Sequence, residues 1–86
     1  MKKLEKVLKV FANSRRLAIL QYLKSEGEAR VSNIAKEISL SFKSTSRHMH
    51  VLFAGDLVEK DQRSLEVYYR LASHSTSLIK KVFDLL

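Results

Sequence analysis

Spaced by its apolar residues, the chain divides into five helical segments and one pair of strands. Leu4, Val7, Leu8 and Phe11 recur at three- and four-residue intervals and predict a first helix over about residues 2–12. Asn13 or Ser14 can cap a second helix whose Leu17, Leu20 and Leu23 line one face, and Gly27 in SEGE (25–28) can take the left-handed conformation that ends it. Val31, Ile34, Ala35 and Ile38 fall at i, i+3, i+4 and i+7, a short third helix with Ser32 as its cap. After the turn SLS (39–41), Ser41 caps a fourth helix reaching about Gly55. Two short helices joined by so tight a turn, with the apolar Leu40 inside it, form a helix-turn-helix pattern.

The period then drops from 3.6 to 2. LVEKDQ (57–62) and LEVYYRL (65–71) are alternating and rich in β-branched and aromatic residues, with the polar pair RS (63–64) between them. They predict a hairpin, with a long and loose tip because the loop lacks the Gly or Asn that a tight primed turn favours. SHSTSLIKKVFDLL (73–86) returns to helical spacing, capped near Ser73 or Ser75. The fold class expected is mainly α with a small β-hairpin, in the order α-α-α-α-β-β-α of a winged helix-turn-helix, forming one domain over residues 1–86.

Composition narrows the function classes. A chain of 86 residues with 45% apolar content folds, yet at this length it buries only roughly 60–65% of its unfolded surface, so self-association would help it. Cys is absent, which removes disulfides, thiolate metal sites and thiol redox sensing. MKKLEKVLKVF is basic and amphipathic, without the continuous apolar run and small-residue cleavage site of a signal peptide. No stretch approaches the roughly 18 apolar residues of a membrane span, so a cytoplasmic location is expected. Lys plus Arg number 16 against 9 Asp plus Glu, a net charge of +7, which favours a polyanionic partner if the charge is gathered on one face.

On the fourth helix the charge is of one sign. At about 100° per residue, Phe42, Thr45, Met49, Leu52 and Phe53 form one arc, while Lys43, Ser46, Arg47 and His50 form the opposite arc with Ser44 at its edge. The outer arc has no acidic residue, although exposed helices ordinarily intersperse both signs. Arg can fork onto guanine O6 and N7, and Ser and Lys reach bases or phosphates. His48 falls at the border of the buried arc, as a packed, hydrogen-bonded residue, and His50 points outward. Two residues apart, they face different ways and cannot share a metal ion, and His74 has no His, Asp or Glu three or four residues on. No metal or other cofactor is expected. Nor does any nucleophile pair with an oriented base, and Gly-rich phosphate loops and HExxH are missing, so an enzyme is not expected.

RRLAILQYL (15–23), VSNIAKEISLSFKSTSRHMHVL (31–52), DLVEK (56–60) and EVYYRLA (66–72) together resemble the ArsR family of dimeric winged-helix transcription regulators, over roughly residues 8–72. The resemblance implies a recognition helix in the DNA major groove, carrying Lys43, Ser44, Ser46, Arg47 and His50. It also implies a wing along the backbone or minor groove, carrying Lys60, Gln62 and Arg63. Arg16 matches a characteristic family arginine, structural or phosphate-facing; Tyr68 and Tyr69 are read as hairpin packing. Several positions depart from the family. Arg30 and Ser32 stand where metal-sensing members have a Cys-x-Cys pair, and His74 and Asp84 are too far apart for the His and acidic ligands other members place on the last helix. Asp56 replaces a usual Gly, and Phe53 a usual polar residue. Metal sensing is therefore not carried over.

Leu78, Ile79, Val82, Phe83 and Leu86 of the last helix, with Leu4, Leu8 and Phe11 of the first, make an apolar stripe wider than one thin domain needs to bury against itself. A homodimer is expected, presenting two recognition helices to a pseudo-palindromic double-stranded operator, most simply as a repressor. Two other readings stay open at this point: a winged-helix module for protein association through Phe53 and the C-terminal stripe, and MKKLEKVLKVF as a segment lying on an anionic membrane.

Overall fold

The computed structural model describes all 86 residues, Met1–Leu86. Five helices are present: α1 (Lys2–Phe11), α2 (Ser14–Glu26), α3 (Val31–Glu37), α4 (Phe42–Ala54) and α5 (Ser77–Leu85). Between them lie three strands, β1 (Ala29–Arg30), β2 (Val58–Arg63) and β3 (Glu66–Leu71). The winged helix-turn-helix expectation holds, with one addition. The two-residue β1 pairs antiparallel with β3, placing Ala29 opposite Tyr69 and Arg30 opposite Tyr68, so the hairpin becomes a sheet ordered β1-β3-β2. Two residues are too few to show a period, and β1 exists only because β3 offers it an edge.

Local chemistry sets the boundaries. The Asn13 side chain accepts the Arg16 backbone N–H at 3.0 Å, and Gly27 ends α2 at φ 86°, a conformation that a Cβ would strain. Ser32 does not cap α3: pairing of Ala29–Arg30 in the sheet carries the chain in extended form to Arg30, and the helix starts at Val31, enclosing Ser32 in its first turn. The α3–α4 turn is a Schellman motif, with the Ser39 N–H on Lys36 O and the Leu40 N–H on Ala35 O. Ser39 takes the left-handed position at φ 55°, and the half-buried Leu40 is the apolar residue this motif favours next. The same motif closes α4, with Asp56 at φ 61° and the N–H groups of Asp56 and Leu57 on Phe53 O and Leu52 O. Asp56 thus takes a left-handed position that glycine more commonly fills.

The hairpin tip is tight, not loose. Arg63 pairs with Glu66, which leaves only Ser64 and Leu65 as the loop. Ser64 takes a positive φ of 58° in this two-residue loop, a conformation reached without glycine and so invisible to a search for turn residues. At α5 the cap is Thr76, not Ser73 or Ser75; Thr76 Oγ1 accepts the Ile79 N–H at 3.4 Å. Ser73 is engaged elsewhere, donating from its N–H and its hydroxyl to Glu59 Oε2 at 2.8 Å each.

The core joins Ile19, Leu20 and Leu23 of α2 to Ile34, Met49 and Leu52 of the helix-turn-helix, and to Leu57, Val58 and Tyr69 of the sheet. Burial holds the Tyr69 phenol above its usual pKa. Leu17, expected on the buried face of α2, is 36% exposed, because the face turned inward is centred on Ile19. Phe11, Ile79 and Phe83, expected at a two-fold interface, fill this chain's own core instead; Phe11 and Phe83 meet edge to face with centroids 6.3 Å apart. Lys24 of α2 donates to Phe83 O and Leu86 O at 2.8 and 3.1 Å, tying down the carbonyl end of α5.

Thr45 is fully buried, and its Oγ1 has no hydrogen-bond partner. Valine matches its shape without the stranded hydroxyl. Thr45→Val is therefore expected to raise the unfolding free energy by about 1 kcal/mol, read as a higher urea midpoint at unchanged slope. A lower midpoint would show that the hydroxyl contributes a bond to the fold.

Candidate nucleic-acid interface

Helix α4 is held by its inner side. Thr45, Met49 and Leu52, at i, i+4 and i+7, are all fully buried. The Ser41 hydroxyl accepts the Ser44 N–H at 3.1 Å and starts the helix. The opposite side is open: Lys43, Arg47 and His50 are exposed, and Ser44 and Ser46 are half-buried. Phe42 and Phe53, expected in the buried arc, are 61% and 39% exposed. The arc inferred from periodicity was too wide, because residues at its two margins find no neighbouring element deep enough to cover them. Phe53 is partly compensated by Lys60, whose Nζ stands 4.4 Å from the ring centroid.

The strand period divides the wing into two faces. Val58, Lys60 and Gln62 project to one side and Glu59, Asp61 and Arg63 to the other. Lys60 and Gln62 share with Ser46 and His50 a groove of about 660 Å³ between α4 and the hairpin, which brings half of the expected contact residues to one surface. Gln62 Nε2 donates to Ser64 O at 3.1 Å and steadies the tip.

Arg63 lies apart from that groove. Its Nη1 is 2.8 Å from Glu28, its Nε 3.0 Å from Asp61, and its guanidinium stacks 4.5 Å from the Tyr68 centroid. The bonds to Asp61 and then Glu28 raise its pKa further. Arg30 is likewise held, donating from Nη1 to both Glu66 carboxylate oxygens at 2.9 and 3.0 Å, and Arg70 meets Glu59 at 3.1 Å. Glu59 is drawn below its usual pKa, first by the Ser73 N–H, then by the Ser73 hydroxyl, with Arg70 adding to these. Tyr69 packs in the core as expected; Tyr68 lies on the outer face of the sheet beside Arg63.

Lys43, Arg47 and His50 contrast with these cations. None forms a salt bridge; the carboxylates that do are Glu5, Glu28, Glu59, Asp61 and Glu66, and of these Glu66, held by Arg30, borders the groove beside Ser46 and His50. The outer side of α4 is a strip of uncompensated positive charge and hydroxyls. No group of three His, Asp or Glu side chains is close enough to hold a metal ion. No helix is long and apolar enough to cross a membrane.

Arg16, left between two roles by the sequence, has a structural one. Nε donates to Val10 O at 2.6 Å and Nη2 to Lys9 O at 3.1 Å, so it satisfies carbonyls at the end of α1. Its Nη1 lies 3.4 Å from His48 Nδ1, linking that end to α4. Because arginine only donates, Nδ1 accepts and the proton resides on Nε2. Arg15, which sequence reasoning did not single out, donates to Ile38 O at 3.3 Å and adds a cation beside the helix-turn-helix. No local pattern marks it; a contact between residues 15 and 38 exists only in the folded chain.

Burial, then Arg16 and Arg15, lower the His48 pKa. The folded state therefore binds this proton less readily than the unfolded chain. The stability it contributes is full above the unfolded pKa of about 6.5 and declines as pH falls below it, until the folded pKa is passed. Urea midpoints between pH 7.5 and 5.5 should fall, and His48→Gln, which keeps an acceptor without a titrating ring, should flatten the decline. Parallel curves for the two proteins would assign the decline to other groups.

The comparisons with known proteins agree with this geometry. The family described as bacterial regulatory protein, arsR family, matches residues 13–60. A Mycobacterium bovis structure, the homodimeric winged helix-turn-helix DNA-binding domain of Mb0332, a possible ArsR-family transcriptional regulator, is 32% identical at a TM-score of 0.82; the match covers 98% of this chain and 74% of that one. Reduced HlyU from Vibrio cholerae is 32% identical at a TM-score of 0.83, over 99% and 85% of the two chains. NolR from Sinorhizobium fredii is 28% identical at a TM-score of 0.84, over 98% and 80%. Among curated proteins no sequence gives a significant match.

Proposed function

The chain belongs to the arsR family of bacterial regulatory proteins, and from that premise we propose that it is a sequence-specific DNA-binding transcriptional regulator, acting as a homodimeric repressor that blocks polymerase access. The observation that carries this reading is the strip of cations along α4, on a helix without an acidic residue of its own, engaged in no salt bridge and rigidly presented. Such a strip is repelled by itself in water and relieved by phosphate, and each counterion it displaces from DNA adds to affinity.

In this reading α4 enters the major groove. Arg47 forks onto a base edge, Ser44, Ser46 and His50 donate to bases or phosphates, and Lys43 lies on the backbone. Lys60 and Gln62 follow the backbone or minor groove from the inner face of the wing. Arg63 joins them only by exchanging Glu28 and Asp61 for phosphate, so its first role is to brace the wing against the α2–β1 loop.

Dimerisation uses the part of the terminal stripe that the core leaves uncovered. Leu4 and Leu8 are 38% and 46% exposed, and Leu78, Val82 and Leu86 are half-buried. The relative described as homodimeric, from Mycobacterium bovis, supports this assembly. A symmetric pair sets the two recognition helices about one DNA turn, ~34 Å, apart.

Selection from a random duplex pool at near-physiological salt should return an inverted repeat with half-sites spaced about one turn apart. Enrichment of no sequence would overturn the reading, in favour of a module for protein association. On the recovered operator, Arg47→Ala should weaken binding by about 1–3 kcal/mol and relax the preference at one base pair per half-site. Unchanged affinity and preference would remove Arg47 from base recognition.

A further inference from the structure

Phe42 is the first residue of α4, and 61% of it is exposed. It lies beside Lys43 and shares the groove between α4 and the wing with Ser46, His50 and Gln62. A phenyl ring left in water forgoes a good part of the roughly 1.5–3 kcal/mol that its burial would contribute. Its counterpart at the far end of the same helix, Phe53, is covered by Lys60; no cation or aromatic ring stacks on Phe42. The first turn of a recognition helix is the part that reaches base edges. There, Phe42 has neither donor nor acceptor, and the one apolar group that the major groove displays is the thymine C5-methyl.

We propose that Phe42 is a specificity-determining residue that selects a thymine in each half-site by packing its ring against the C5-methyl. This deepens, and rests on, the reading of the protein as a DNA-binding regulator. The cations Lys43 and Arg47 of the same helix, engaged in no salt bridge, favour DNA as the occupant over an apolar protein surface, which would have to desolvate them without compensation. Phe42 thus adds an apolar contact to a face whose other members read by hydrogen bonds and charge.

The test separates the methyl from everything else. On the operator recovered by selection, each thymine of one half-site is replaced singly by deoxyuridine, which removes only the methyl, and binding is followed by fluorescence anisotropy at fixed salt. One replacement should weaken the wild-type protein about fourfold, the scale of one methyl returned to water. It should leave Phe42→Ser unaffected, and Phe42→Leu, still apolar, should recover the sensitivity. Near-ultraviolet and far-ultraviolet circular dichroism confirm that the variants fold, as substitution at an exposed position predicts. Equal sensitivity in Phe42→Ser, or no sensitive thymine in the wild type, would overturn the assignment while leaving DNA binding intact. Failure to recover any operator would remove the DNA-binding reading and this assignment with it.

Discussion

Everything the outer side of α4 presents depends on how its inner side is clamped. Thr45, Met49 and Leu52 are wholly enclosed between α2, α3 and the sheet, and three anchors spread over two turns allow the helix one rotation. Turning it by a single residue, about 100°, would bring charge into the core and expose Met49. The anchors need not be optimal for this: Thr45 brings a hydroxyl with no partner, and the clamp still holds because shape, not polarity, sets the rotation. The Arg16–His48 contact adds a polar stop at the border between the two sides.

Charge is divided between two surfaces. On the outer face of the sheet, Arg30, Arg63 and Arg70 each meet a carboxylate at 2.8–3.1 Å. These pairs are partly exposed, and each contributes little stability, but together they fix the wing to β1 and to the loop before it. Helix α4 carries no carboxylate of its own, and its cations enter no salt bridge. The net charge of +7 is therefore not a diffuse property: neutralisation of the sheet leaves the excess on the helices, α4 among them. A rigid, neutral wing beside a free, positive helix sets a fixed angle between the two DNA-facing elements, as groove recognition requires.

Much of this was legible in the sequence where the signal is local. The 3.6-residue spacing of Leu4, Val7 and Phe11 and of Ile34 and Ile38, the caps at Asn13 and Ser41, and the tight turn around Leu40 mark the helices, since each depends on neighbours in the chain. The alternation of VEKDQR and EVYYRL marks the hairpin, and the absence of acidic residues between Phe42 and Ala54 marks the candidate site. Less was legible at the margins of arcs and at ends. Phe42 and Phe53 looked buried because periodicity gives an angle but not the extent of the neighbouring element. Ser64 gave no sign of a tight turn, because a register fixed by the strands forced a positive φ on an unfavoured residue.

The sequence by itself determined which segments are helix or strand, which side of α4 faces the core, and that a cationic strip faces away from it. These follow from periods and caps within a few residues. Only the tertiary structure decided that Arg16 serves the end of α1, that Arg63 is held by Glu28, that β1 exists, and that Phe11, Ile79 and Phe83 belong to the chain's own core. Each of those is a contact between residues far apart along the chain, and the partner of a long side chain is set by where the backbone brings it, which no local pattern encodes.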